Sequence, residues 1–173
     1  NLPSGFKASK ILWPAPEKIP VEPLMTFGYE NKALLLTKIT APSKISFPVN
    51  ISAQVSWFTC KEICIPQEGK VDLTLFEGIK GININSIKIK DTLKKVPVDF
   101  PTPYRVSFLN EKIFLQFEKK NAQKISKAYF FPEDYGFISY VADQNLEKDD
   151  RSFSLELIPA EVQVPLNNTK GVL

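Results

Sequence analysis

The chain has 173 residues, 43% of them hydrophobic and 24% charged, the balance of a globular protein with room for one large domain or two small ones. Its net charge of +3 comes from 22 basic and 19 acidic residues scattered along the sequence; nucleic acid is therefore not expected as the main partner, because phosphate tracking needs clustered Lys and Arg. Histidine is absent, which removes histidine general bases and nearly every catalytic zinc arrangement, and no apolar run approaches the ~20 residues that cross a bilayer.

The opening, Asn1-Leu2-Pro3-Ser4-Gly5-Phe6, has no signal-peptide pattern and reads as a trimmed mature segment or a fragment of a longer protein. Trp13-Pro14-Ala15-Pro16 and the stretch on to Pro23 are too proline-rich for a helix or a central strand and predict an extended run over the surface. Phe27-Gly28-Tyr29 sets two aromatic rings around a glycine in a loop. Either both rings enter the core, or one serves as a movable lid over a neighbouring site. Residues 33–40 read as a strand. The clearest strand signal spans 45–57, where every odd position is apolar and every even one is small, polar or proline, so one face meets a core and the other meets water or a partner. Pro48 has no backbone donor and predicts an edge or a bend.

Alternation fails at Phe58, where the chain enters Trp57-Phe58-Thr59-Cys60-Lys61-Glu62-Ile63-Cys64-Ile65-Pro66. After Gln67-Glu68-Gly69-Lys70 a second strand covers 71–75. The cysteines thus fall at the end of a strand and in the connection that follows, fixed by scaffold on both sides. Residues 83–96 hold the one plausible helix, with Asp91-Thr92-Leu93-Lys94-Lys95 forming a short turn that Pro97 ends. Residues 104–109 and 112–118 predict a hairpin turning at Asn110-Glu111, and further strands are expected at 127–131, 137–141 and 152–158. Many short strands separated by turn signals predict an all-β chain of sandwich type: a first domain over 1–80, a linker with a short helix over 81–96, and a second, smaller β module over 97–173.

Cys60 and Cys64 are the only cysteines and the one reactive constellation in the sequence. As a structural disulfide the pair would close a ring of about five residues, worth only ~2 kcal/mol by chain entropy against ~3 for a 15-residue loop. A chain of this size does not need that staple to fold, so a redox role gains weight beside the inert disulfide, and free buried thiols stay open. Two thiolates without histidine supply half a tetrahedral zinc site, so neither metal nor cofactor is expected. Lys61 places a cation beside Cys60 that favours thiolate, while Glu62 opposes it, or both form a solvated loop pair. Pro66 fixes the chain just after Cys64. Lacking histidine and a helix N-terminus, such a pair depends on a partner's activated thiol. The contrasting reading is a non-catalytic binding or assembly module whose disulfide pins a loop.

Trp13-Pro14-Ala15-Pro16, Phe27-Gly28-Tyr29-Glu30, the strand into Val55-Ser56-Trp57 and Cys60-Lys61-Glu62-Ile63-Cys64-Ile65-Pro66 come in an order and spacing that resembles the N-terminal periplasmic region of the DsbD/ScsB thiol:disulfide interchange family. Ala128-Tyr129-Phe130-Phe131-Pro132-Glu133-Asp134 resembles the second half of that region in the ScsB-like branch. The resemblance implies an immunoglobulin-like sandwich carrying a redox pair in the periplasm. It also implies one module of an inner-membrane protein, tethered to a transmembrane electron-transfer domain, as in cytochrome c biogenesis systems. A thioredoxin-like module would pass reducing equivalents to this domain, which would reduce periplasmic disulfide oxidoreductases. Carried to matching positions, Cys64 forms mixed disulfides with partners and Cys60 resolves them. Phe27, with Tyr29 and Glu30 beside it, falls in the segment matching the cap loop that shields the disulfide. The three residues between the cysteines depart from the longer loop of the DsbD branch.

Overall fold

The computed structural model describes residues 1–61, 63–78, 84–100, 103–118, 122–161 and 170–173. In chain order its strands are β1 (Lys7–Ala8), β2 (Glu17–Val21), β3 (Leu24–Gly28), β4 (Ile39–Thr40), β5 (Val49–Cys60) and β6 (Cys64–Leu75), then β7 (Tyr104–Leu109), β8 (Lys112–Glu118), β9 (Phe131–Pro132), β10 (Asn145–Lys148), β11 (Ser152–Leu157) and β12 (Gly171–Val172). One helix, α1 (Ile84–Leu93), and a 3-10 turn at Ala122–Lys124 join them. The expected all-β class holds. Contacts divide the chain into two compact units, residues 1–14 with 33–96, and residues 15–32 with 97–173.

The first unit is built on the hairpin β5–β6, paired antiparallel from Val49 opposite Leu75 to Cys60 opposite Cys64. β5 starts four residues later than the alternation predicted, because Pro48 cannot donate to a ladder. Residues 65–70, expected in the connection, lie in β6 and pair with 54–59. That pairing satisfies backbone groups which a loop would leave to water. Gly69 permits it locally: a Cβ there would stand 3.3 Å from the Trp57 ring. The strand expected over 33–40 shrinks to β4, paired with β1, and a bridge between Leu12 and Leu36. Helix α1 lies within the predicted 83–96 window, of which residue 83 is outside the described residues. It is longer than the turn foreseen at 91–95. It ends in tightened bonds, Lys95 N–H to Thr92 C=O and Val96 N–H to Leu93 C=O, just before Pro97.

The second unit centres on an antiparallel sheet of order β10-β11-β8-β7. Hairpin β7–β8 has the bounds read from the sequence, and Asn110 and Glu111 turn it with φ of 49° and 61°, the left-handed pair of a two-residue hairpin loop. Ile113, Leu115 and Phe117 from β8 and Phe153, Leu155 and Leu157 from β11 form the core with Phe130, Phe137 and Ile138. Phe117 stacks on Phe153 at 4.8 Å. The strands expected over 127–131 and 137–141 reduce to β9 and a bridge between Ile138 and Pro159. A side chain takes the place of a neighbouring strand at Phe130: Gln144 Oε1 accepts its N–H at 2.7 Å and Gln144 Nε2 donates to its C=O at 2.9 Å. Strands β10 and β12 were not anticipated from the sequence.

The proline-rich stretch is extended, as expected, yet it is paired: β2 and β3 form a hairpin about Glu22-Pro23. The expected boundary at residue 80 places this hairpin in the first domain, whereas its contacts group it with 97–173. Aromatic packing is the cause. The Phe27 ring lies 4.3 Å from that of Tyr140, 5.1 Å from Phe131 and 6.0 Å from Tyr129. Lys18 Nζ sits 5.3 Å over the Tyr129 ring and 3.7 Å from Asp143.

Candidate functional site

Two twelve-residue strands reach the tip of the β5–β6 hairpin together. Directly opposed strand residues stand close, about 4.5 Å apart at non-hydrogen-bonded positions. Cys60 and Cys64 are such a pair, with Cα atoms 4.0 Å apart and their sulfurs joined in a disulfide. Both cysteines are exposed. The turn between them is closed by Lys61 N–H donating to Ile63 C=O at 3.2 Å. Cys64 is therefore the first residue of β6, not part of a connection. Thr59 Oγ1 donates to Gln67 Oε1 at 2.9 Å on the other face and ties the strands next to the tip.

Because side chains alternate across a ladder, the cysteines share a face with Asn50, Ser52, Gln54, Ser56 and Phe58, and with Pro66, Glu68, Lys70, Asp72 and Thr74 opposite. Val49, Ile51, Ala53, Val55 and Trp57 lie on the reverse with Ile65, Val71, Leu73 and Leu75. On the cysteine face Lys70 Nζ pairs with Asp72 at 3.1 Å, an exposed ion pair of little energetic weight.

The remaining expected site residues fall as follows. Lys61 is exposed in the turn, and Pro66 opposes Phe58 in β6. Glu62 lies outside the described residues. Phe27 is in β3 against its three aromatic neighbours; Tyr29 just beyond is half-buried, and burial raises its hydroxyl pKa. Glu30 is exposed, and its C=O accepts the Lys32 N–H at 2.6 Å. Phe58 was not among the expected site residues. Its one signal was the failure of alternation there. Among the described residues no three His, Cys, Asp or Glu side chains gather to hold a metal, and no helix is long and apolar enough to cross a membrane.

Disulfide exchange needs an accessible sulfur that a thiolate can approach in line. An exposed disulfide at the free end of a paired hairpin offers that access on a rigid frame. Residues 1–75, which include both cysteines, match the family described as thiol:disulfide interchange protein DsbD, N-terminal. Comparison with curated proteins finds no match. Among solved structures the chain is similar to the N-terminal periplasmic domain of ScsB from Proteus mirabilis, with a TM-score of 0.60 and 15% identity over 91% of this chain. The chain spans 66% of the length of that structure. This likeness shows the fold, an immunoglobulin-like β fold. The family match is thus confined to residues 1–75, the segment that carries both cysteines.

Proposed function

We propose that this chain is a thiol–disulfide exchange domain that works in the periplasm as part of a longer membrane protein, taking reducing equivalents from a thioredoxin-like or transmembrane module and passing them to disulfide oxidoreductases. The observation that carries the reading is the exposed Cys60–Cys64 disulfide at the hairpin tip, inside the segment that matches the interchange family.

In the loading step a thiolate of the donor dithiol attacks Cys64 Sγ. The Cys60–Cys64 bond breaks, Cys60 leaves as thiolate and takes a proton, and a mixed disulfide forms. The donor's second thiolate attacks its own sulfur in that bond and releases Cys64. The donor ends as a disulfide, and the domain has gained two electrons and two protons. In the unloading step the Cys64 thiolate attacks the client disulfide, and Cys60 then attacks Cys64 Sγ, releasing the client as a dithiol. Lys61 favours the thiolate that each step needs, Glu62 opposes it, and Pro66 holds the geometry.

The test is redox equilibration of the pair in glutathione buffers, followed by trapping with Cys60→Ala. A potential above about −300 mV, the usual upper bound of structural disulfides, with Cys64 held in a mixed disulfide to a thioredoxin-like protein, is the expected result. A pair that resists reduction in the folded chain and captures nothing would leave a binding or assembly module with a structural disulfide.

A further inference from the structure

On the hairpin face that bears the disulfide, the positions from Asn50 to Ser56 and from Glu68 to Thr74 are all polar, as a water-facing surface requires. Phe58 breaks the pattern. Its side chain is 71% exposed, it directly opposes Pro66, and the next pair along that face is Cys60 with Cys64. Folding gains nothing from an aromatic ring left in water, since the hydrophobic effect rewards only area removed from it. The reverse face carries its own apolar residues, Val55 and Trp57 before Phe58 and Ile65 on the partner strand. Ile63, in the turn, is 72% exposed and extends the apolar surface around the sulfurs.

We propose that Phe58 and Pro66 form the seat on which a dithiol protein rests the apolar residues flanking its reactive cysteine, so that this pair sets how well proteins, as opposed to small thiols, exchange with the domain. The proposal rests on the exchange reading of Cys60 and Cys64. Continuity with the sulfurs identifies the occupant. Neighbouring pairs on one face of an antiparallel ladder lie within reach of one another's side chains, so a protein whose sulfur approaches Cys64 in line brings its flanking residues over Phe58 and Pro66. Burial of a central aromatic anchor is how interfaces concentrate their binding energy. A small thiol has no flanks and is indifferent to the seat.

Stopped-flow reduction of the oxidised chain by reduced thioredoxin, and separately by dithiothreitol, separates the cases. Phe58→Ser should slow the thioredoxin reaction roughly tenfold, the scale of one interface anchor, and leave the dithiothreitol rate unchanged. Phe58→Leu should restore most of the loss. Phe76→Ser removes a ring that is also 71% exposed but lies outside the hairpin, and should change neither rate. If Phe58→Ser loses the fold by circular dichroism, Phe58→Thr, which keeps a strand-favouring residue at that position, serves in its place with the same expectation. An unchanged thioredoxin rate in Phe58→Ser overturns the seat while exchange stands, and equal slowing by both reductants overturns it in favour of a geometric effect on the disulfide. Wild-type chain that dithiothreitol reduces but thioredoxin does not would overturn the exchange reading and the seat with it.

Discussion

At the scale of single residues the second unit shows how close packing and local hydrogen bonds set what each position tolerates. A Cβ at Gly171 would stand 2.5 Å from Phe130 Cε2 and Cζ and from the Phe131 backbone oxygen. One of those obstacles is backbone, so no rotamer change relieves it. Gly171→Ala should cost about 1–3 kcal/mol, the usual range for overpacking, read as a lowered denaturation midpoint. Asp149 shows the electrostatic counterpart. Its carboxylate accepts the N–H of Arg151 at 2.6 Å, and the N–H and hydroxyl of Ser152 at 2.7 and 2.8 Å, closing the turn between β10 and β11. These bonds, the Arg151 N–H first, lower its pKa below 3.8. A lowered carboxylate pKa gives stability that is present above the unfolded value and is lost as pH falls through the folded one. Asp149→Asn should therefore be less stable than wild type at pH 7, and the gap should close on acidification below pH 3.8. Denaturant midpoints at pH 7 and pH 3 check this; a constant gap would mean that the charge contributes nothing.

At the scale of elements, the β7–β8 hairpin carries a correctable strain. Glu111 holds φ of 61° in the turn, a left-handed conformation that costs an L-residue roughly 1–2 kcal/mol and glycine almost nothing. Glu111→Gly, which creates the favoured Asn-Gly loop, should raise stability by roughly 0.5–1 kcal/mol once the extra freedom of unfolded glycine is counted. Thermal unfolding checks it, and a loss of stability would show that Glu111 makes contacts worth more than its strain. This hairpin was legible in the sequence because its cause is local: a two-residue turn between alternating strands. Residues 65–70 were not legible, because the ladder opposite them, not their own pattern, makes them strand. Hairpin β2–β3 was hidden by its prolines, which predict extension but not pairing, and Phe130 is bonded to a side chain, Gln144, fourteen positions away. The cysteines could be read because no other reactive group competes with them. Phe58 was visible only as a broken alternation, whose meaning emerged once register placed it beside the disulfide.

At the scale of the whole molecule, a domain that cycles between disulfide and dithiol has to stay folded in both states. The Cys60–Cys64 ring is small, so by chain entropy its closure is worth only ~2 kcal/mol, while the ladder beneath it runs through twelve-residue strands down to Val49 and Leu75. Reduction therefore removes a modest part of the stability and leaves the hairpin paired. Both tryptophans, Trp13 and Trp57, belong to the first unit, so their fluorescence reports that unit without a contribution from the second. Dithiothreitol should lower the tryptophan-reported midpoint by roughly 8–16 °C, the shift that ~2 kcal/mol produces in a unit of this size, with the emission at 25 °C still that of the folded chain. Cys60→Ser with Cys64→Ser should behave like the reduced protein. Unfolding of the tryptophan signal on reduction at 25 °C would make the disulfide a structural staple, since a thiol pair that exists only in an unfolded unit cannot return electrons to a partner in a defined geometry.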